Sequence, residues 1–377
     1  MPLQKNRILV VGAGFAGATI ARQLADSGLY QVDIIDQRPH IAGNAFDPID
    51  TKLGLRIHQY GPHIFHTNNQ GIVDFLSRFT QWLPYAHKVE ALVDKIGFVP
   101  LPINRTTINK IYGQKLSNEE QVRTFLDRIR CHHSKPANAE QAMENVYGTE
   151  LTQLFFGRYT QKMWDMKLSD LPAEILARLP VRYDDNRNYF SDKFQAMPEK
   201  GYLGLFKNML DHDSISVSLS SAFQLNMEKD FCHIFNSMPI DVYFKEQFGP
   251  LPYRSIRFMH EQVEQHYQPV PTINFTDGSV CTRQTDWRLY PGCKVKDGSA
   301  IVLTKEVPCS YEDNSFERYY PIKTLDGVPQ RLYKRYQEEA NKLKHVTFIG
   351  RCGQYIYYDM HQVVANSLKI AKDFLSG

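Results

Sequence analysis

An α/β fold is predicted: a doubly wound nucleotide-binding domain built from both ends of the chain, with helical and β-sheet insertions between. Three observations predict it. The β-branched run Ile8–Val11 leads into Gly12, Gly14 and Gly17, a helical stretch follows, and "QVDIID" forms a second strand ending at Asp36, which makes one strand–helix–strand unit. The C-terminus repeats the alternation, with "HVTFIGR" as strand and "MHQVVANSLKIAKDFLSG" as amphipathic helix. Between them, residues 140–180 read as helical, and from about 215 the pattern turns to strands such as "FCHIFNS", "YRSIRFMHEQVE", "VPTINFTD" and "SAIVLTKEV".

Taken in order, Ile8–Val11 is apolar throughout, as a parallel strand buried on both faces must be. Gly12 allows a tight turn, Gly14 lets backbone approach a pyrophosphate, and Gly17 lets helix and strand pack closely. The helix N-terminus favours the phosphate charge. "ATIARQLADSG" has helical periodicity and stops at Gly28. Asp36, 19 residues after Gly17, is placed to accept hydrogen bonds from a ribose. Strand, glycines, helix and acid in register predict dinucleotide binding. Arg38 and the second glycine turn in "PHIAGN" extend the motif toward FAD rather than NAD, with Gln37 and Asn44 inside it. An ordinary loop is the alternative, since Ala42 stands before Gly43 where two glycines are usual.

"YGPHIFHTNN" carries His63 and His66, three apart. A shared helical face would suit a metal, but zinc or iron needs three or four ligands and no third candidate is near. Two satisfied core histidines, or a pair set against a flavin, remain. "SNEEQVRTFLDRIR" reads as a helix capped by Ser117, with Glu120 three later. "CHH" at 131–133 reads as solvated surface. In "YTQKMW", Tyr159 and Trp164 fall on broadly one helical side, suited to stacking on a base or sugar or to core packing. "LPAEILARLPVRY" brackets Arg178 with prolines, as in a hinged lid. Arginine's forked donors match a diphosphate; a surface ion pair is the alternative.

At 377 residues, 42% hydrophobic and 23% charged, the chain is an ordinary globular protein of two or three domains. A net charge of +3 argues against a dedicated nucleic-acid binder and tolerates anionic small ligands. No run approaches the roughly 18–20 apolar residues of a membrane span, and the N-terminus does not read as a signal peptide. Six scattered cysteines without C-x-x-C read as reduced thiols in a cytoplasm. The 21 tyrosines and 22 phenylalanines fit either a stacking site or an aromatic core.

The stretches "YGPHIFHTN", "YTQKMW", "RLPVRYDDNRNYFSDKFQ", "PIDVYFKEQFGPLPYRSIRF", "INFTD", "TKEVP", "YYPI" and "GRCGQYIYYDMHQV" follow one another at matching spacing. With them the chain resembles the bacterial UDP-galactopyranose mutase family over nearly its whole length. The resemblance implies a Rossmann-type FAD-binding domain (residues 1–75 and 341–377) and a mainly helical domain (76–180, with a mobile loop near 166–182). It also implies an antiparallel β-sheet domain (181–340), interrupted near 200–240 by a return to the FAD domain. It implies a ring contraction without net redox change, in which reduced FAD attacks the anomeric carbon through N5 and displaces the nucleoside diphosphate. UDP-galactose is the foremost substrate; dTDP-fucose and the N-acetyl form of UDP-galactose are the alternatives. NADPH or NADH as reductant and a homodimer are further implications. An amine-oxidase-type flavin oxidoreductase and a non-catalytic carrier of the same fold are the competing classes.

Carried over residue by residue, Arg178 and Arg283 clamp the diphosphate, and Tyr189, Tyr320 and Tyr357 donate hydroxyls to it. Tyr159 and Trp164 lie along nucleotide and sugar, Phe155 and Phe156 lie near the base, and Asn274 adds a contact. His63 and His66 sit between flavin and sugar, not on a metal. Arg254, Arg351, Asp359 and Met360 hold the flavin. Four positions depart from the family pattern: Ala42, Asp165, Lys200 and Met238 stand where glycine is usual.

Overall fold

The computed structural model describes residues 6–173, 181–293 and 301–377. Its first sheet has five strands in the order Val346–Phe348, His233–Asn236, Arg7–Val11, Gln31–Ile35, Ile215–Ser218, every neighbouring pair parallel. Ile8, Val10 and Ile34 are fully buried in it. The helix Phe15–Asp26 covers one face, packed against the C-terminal helix Met360–Ser376 and the helix Gly201–Leu210. Both chain ends and the segment around 201–236 thus build this domain.

Helix Gly201–Leu210 shows how the domain is tied together. Its first backbone N–H groups, on Tyr202 and Leu203, donate to the two oxygens of Asp47 at 2.8 and 2.7 Å. Asp47 is fully buried and has Arg56 3.6 Å away. Burial is the larger influence and raises the Asp47 pKa to about 6, while Arg56 and the two helix N–H groups resist the rise.

Among the described residues the second sheet has seven strands in the order Tyr320–Pro321, Tyr253–Val263, Ile301–Ser310, Arg283–Asp286, Thr272–Phe275, Val89–Val93, Gly97–Leu101. Two expectations are corrected here. The sheet takes its last two strands from residues 89–101, where "ALVDKIGFVPLPIN" reads as a Pro-containing strand region inside the expected mainly helical domain. It is also not wholly antiparallel, because Thr272–Phe275 runs parallel to Val89–Val93. That pairing follows from the helical segment lying between the two strands, a crossover long enough for a parallel return. A three-stranded sheet joins Phe65–Thr67, Phe194–Pro198 and Trp82–Pro84, so His66 lies on a strand and not on a helical face.

The helical part packs Ile108, Val122, Leu126, Met143, Tyr147 and Leu151 into one core. Its helix Glu119–Ile129 is capped by Asn118, whose side chain accepts from the Gln121 N–H at 2.9 Å. The expected cap, Ser117, sits one residue outside, where its N–H donates to the Gln121 side chain at 2.8 Å. The helix thus starts one residue later than predicted, and the Gln121 side chain reaches back past the cap to Ser117. Among the described residues, no helix is long and apolar enough to cross a membrane.

Candidate active site

Where the two larger sheets and the helical part meet there is a cavity of about 480 Å³, within the range of small-molecule sites. It is lined by Asn44, His63, His66, Tyr159, Trp164, Tyr189, Asn274, Arg283, Tyr320, Arg351, Tyr357, Asp359 and Met360. These residues come from separate chain segments, so the fold, and no single motif, assembles the site.

The dinucleotide turn lies outside the lining, which its region enters only at Asn44. Gly12 has φ +103°, and a Cβ there would meet Ser237 Oγ at 2.0 Å. Asp36 Oδ2 accepts from the Ala13 N–H at 2.8 Å and Oδ1 from the Arg38 N–H at 2.9 Å; each oxygen keeps a further lone pair for a hydroxyl. The Ala42 N–H donates to the Ala13 carbonyl at 2.9 Å, tying the second turn to the first. A Cβ on Gly43 would lie only 3.0 Å from the Gly14 Cα. Two backbone turns thus converge without side chains between them, which is the cradle a diphosphate requires. The Arg38 guanidinium bonds the Asn44 side chain at 2.8 Å and pairs with Glu317. Gln37 is exposed beside them.

The opposite wall is cationic and phenolic. Arg283 lies on a strand of the seven-stranded sheet, 3.5 Å from the carboxylate of Glu306 on the neighbouring strand, and donates to the Tyr159 hydroxyl at 3.5 Å. Burial opposes its charge, but Glu306 and the surrounding Tyr159, Tyr189 and Tyr320 outweigh burial and hold its pKa above the ordinary value. Glu306 is itself buried; burial raises its pKa and Arg283 resists the rise. The Tyr320 and Tyr357 rings stack at 5.5 Å, with Trp164 edge-on to Tyr320 at 6.0 Å and Arg351 5.1 Å over Tyr357. Burial raises the Tyr320 pKa, so its hydroxyl is a donor. The Asn274 side-chain oxygen is buried with no hydrogen-bond partner among the described residues.

His63 and His66 both reach the cavity and do different things. His63 Nδ1 is 2.8 Å from the Gly61 carbonyl. A carbonyl only accepts, so Nδ1 carries the proton and Nε2 holds the lone pair. Burial lowers the His63 pKa to about 4, against the Gly61 bond and with help from Arg351 and Arg283. His66 Nδ1 contacts Asp192 at 2.8 Å and its ring stacks on Phe190 at 3.7 Å.

Not every expected residue lines the cavity. Phe155 and Phe156 pack into the core of the helical part. Arg254 donates to the Met163 and Lys162 carbonyls at 3.0 and 3.3 Å, completing the end of the helix Arg158–Trp164; it faces that helix and does not line the cavity. Arg178 lies outside the described residues. The four departures are absent from the lining as well. Ala42 adopts φ +76°, the reason glycine is usual there. Asp165, φ +57°, ends its helix with an exposed side chain; Asp tolerates that conformation. Lys200 is exposed before helix Gly201–Leu210. Met238 packs with Tyr243 and Phe348.

Sequence reasoning missed His87, Glu306, Tyr319 and His361, all in the lining. His87 is buried, with Nδ1 2.9 Å from the Tyr85 hydroxyl, and burial followed by Arg283 lowers its pKa to about 3. His63 and His87 therefore bind protons in the unfolded chain that they refuse when folded. The sign follows: stability is complete above about pH 6.5, the ordinary histidine value, and is lost as pH falls toward 4 and then 3. The urea midpoint is expected to drop across that window, and to drop less in His87→Asn.

Lys162 holds the aromatic helix in place. Its Nζ donates to the Phe275 and Cys281 carbonyls at 2.8 and 2.7 Å, joining the helix of Tyr159 and Trp164 to the hairpin of Asn274 and Arg283. Lys162→Met removes two charged hydrogen bonds, each worth about 1.5–3 kcal/mol. Steady-state kinetics are expected to show KM for the molecule this cavity holds raised about tenfold, with partial recovery in Lys162→Arg.

Comparison with known proteins decides the relationship. Residues 154–357 match the family model described as UDP-galactopyranose mutase. The chain belongs to that family. Residues 10–79 match an NAD(P)-binding Rossmann-like domain. A probable UDP-galactopyranose mutase of Klebsiella pneumoniae is 37% identical over 99% of this chain and 96% of its own. A dTDP-fucopyranose mutase of Escherichia coli is 33% identical over 98% of both. A crystal structure of reduced UDP-galactopyranose mutase superposes with a TM-score of 0.76 at 17% identity, covering 98% of this chain and 96% of that one. Membership favours isomerase chemistry over the amine-oxidase-type oxidoreductase that shares the N-terminal motif.

Proposed function

We propose that this chain is a flavin-dependent mutase that interconverts the pyranose and furanose forms of a nucleoside-diphosphate galactose-type sugar, UDP-galactose foremost. The observation that carries the reading is Arg283. A permanent cation, surrounded by Tyr159, Tyr189 and Tyr320, faces a cavity whose other walls hold Asn44, Arg351 and Met360. That is a site for a leaving diphosphate set beside a site for a dinucleotide.

The residues present fit FAD. The facing turns at Gly14 and Gly43 would hold its diphosphate and Asp36 its ribose; Asn44, Arg351 and the N-terminus of helix Met360–Ser376 would border its ring. When bound and reduced, FAD supplies the electron pair that displaces the diphosphate from the anomeric carbon and recovers it on reclosure, so nothing is oxidised overall. The protein does the rest. Arg283 and the Tyr320 hydroxyl take the charge that develops on the departing phosphate. His63 Nε2, unprotonated across the physiological range, accepts a hydrogen bond from a donor in the cavity. The aromatic wall of Trp164, Tyr320 and Tyr357 orients the sugar nucleotide and excludes water. NADPH or NADH would supply the reducing equivalents from outside.

The test is turnover of UDP-galactofuranose and dTDP-fucofuranose side by side, with and without dithionite, following the pyranose by chromatography. Turnover of the UDP sugar only under reduction is expected. Turnover of the dTDP sugar alone would move the substrate to that nucleotide, as the 33% relative allows. Failure of both from yellow, fully reduced protein would overturn the reading.

A further inference from the structure

A second cluster of ligating side chains lies in the helical part, among residues not used by the reaction. Helix Glu119–Ile129 and helix Ala139–Tyr147 are brought together at Gly148, where a Cβ would lie 2.3 Å from the Ile129 carbonyl. The segment after the first helix is pinned to the second by three bonds. The Cys131 N–H donates to the Glu144 carbonyl at 3.1 Å. The His133 N–H donates to the Asn145 side chain at 2.7 Å, and that side chain donates back to the His133 carbonyl at 2.8 Å. The result places Cys131 Sγ, a His133 ring nitrogen and a Glu144 carboxylate oxygen within 4.8 Å of one another.

We propose that Cys131, His133 and Glu144 bind a zinc ion. Bonds of about 2.0–2.3 Å in a tetrahedral site put donor atoms roughly 3.2–3.8 Å apart. His133 Nε2 and Glu144 Oε2 are already 3.1 Å apart, so the set closes when Cys131 Sγ, now within 4.8 Å of both, moves inward and the metal replaces the hydrogen bond between them. Thiolate, imidazole and carboxylate together select a borderline-soft ion, and one thiolate plus one carboxylate neutralise its charge. The other Glu144 oxygen accepts from the Thr149 hydroxyl at 3.0 Å, an outer partner of the kind that orients a metal-bound carboxylate. All three side chains are half-buried, which leaves a path for the ion and a fourth position for water. The sequence alone assigned "CHH", in a polar helix-to-loop region, to solvated surface; Glu144, eleven residues after His133, joins it only through the packing at Gly148.

The test uses the full FAD-loaded chain, stripped with a chelator and titrated with zinc chloride by calorimetry. Uptake of one equivalent per chain is expected, weakened at least about tenfold in Cys131→Ser and in Glu144→Gln and unchanged in Cys309→Ser. In the unaltered protein, zinc is expected to slow iodoacetamide labelling of Cys131, read by peptide mapping, at least about tenfold. The labelling arm needs no substituted protein, so a variant that folds poorly does not decide the matter. Absence of saturable uptake, or equal labelling of Cys131 with and without zinc, would reduce the cluster to a His133–Glu144 ion pair and overturn the proposal.

Discussion

Arg283→Ala is expected to lose on the order of 10²–10³ of turnover while the protein stays folded and yellow. The loss falls on the chemical step, because the guanidinium meets most negative charge as the anomeric bond breaks. Arg283 is reached from the sugar cavity, and the dinucleotide turns at Gly12–Gly17 and Ala42–Asn44 lie on other segments, so flavin content is expected to be unchanged. One complication has a clear sign. Removing the cation leaves Glu306 buried without the charge that resists its rise in pKa, and the carboxyl takes up a proton instead of staying ionised. Two further variants separate the effects. Arg283→Lys keeps a charge but not the fork, and is expected to recover only part of the rate. Arg283→Ala combined with Glu306→Gln removes the orphaned acid, and is expected to stay as slow as the single variant. Recovery in the double variant would show that the arginine serves Glu306 and not the phosphate, and wild-type turnover in Arg283→Ala would show that turnover needs it for neither.

The dinucleotide domain was legible because its demands are local. A strand, a glycine turn, a helix and an acid lie within about thirty residues, and each has one physical job that few residue types perform. Even the departure at Ala42 explains itself once its φ of +76° is known. The sheet domain was less legible at its edge: Val89–Val93 is a short strand with Glu90 inside it that fits several sheets, and only its parallel pairing with Thr272–Phe275, nearly two hundred residues later, decides between them. The site was legible where a residue type is chemically loaded, as with Arg283 and the tyrosines. It was not legible at His87, in the link between strands Trp82–Pro84 and Val89–Val93, or at Glu306, inside strand Ile301–Ser310; the importance of both comes from what the fold puts opposite them. Arg254 shows the converse. An arginine in a distinctive stretch invites a role at a phosphate, yet its donors are taken by the Met163 and Lys162 carbonyls, so its contribution is to hold the helix that presents Tyr159 and Trp164.

Gly17→Ala should then remove flavin and stability together, although it adds one methyl group far from the sugar. A Cβ at Gly17 would lie 1.9 Å from the Gly12 carbonyl oxygen and 2.8 Å from Val10 Cγ1. The first is backbone of the phosphate turn itself and cannot rotate away. Relief requires the helix Phe15–Asp26 to lift from the strand Arg7–Val11, and that helix carries Ala16, Ile20 and Leu24 into the core. Overpacking of this kind costs about 3 kcal/mol, which corresponds to a Tm lower by about 4 °C in a chain of 377 residues, and it spoils the Gly12–Gly14 turn at the same time. Flavin-to-protein ratio after gel filtration, measured with the melting curve, reads both. Gly28→Ala is the matched control. Gly28 has φ +72° but nothing within 4 Å of a new Cβ, so the substitution meets only the conformational cost of about 1–2 kcal/mol and is expected to keep its flavin. If Gly17→Ala retains a full complement of flavin at the wild-type Tm, the close approach of helix and strand is not what shapes the phosphate turn. If Gly28→Ala also loses flavin, the effect belongs to global stability and not to the turn.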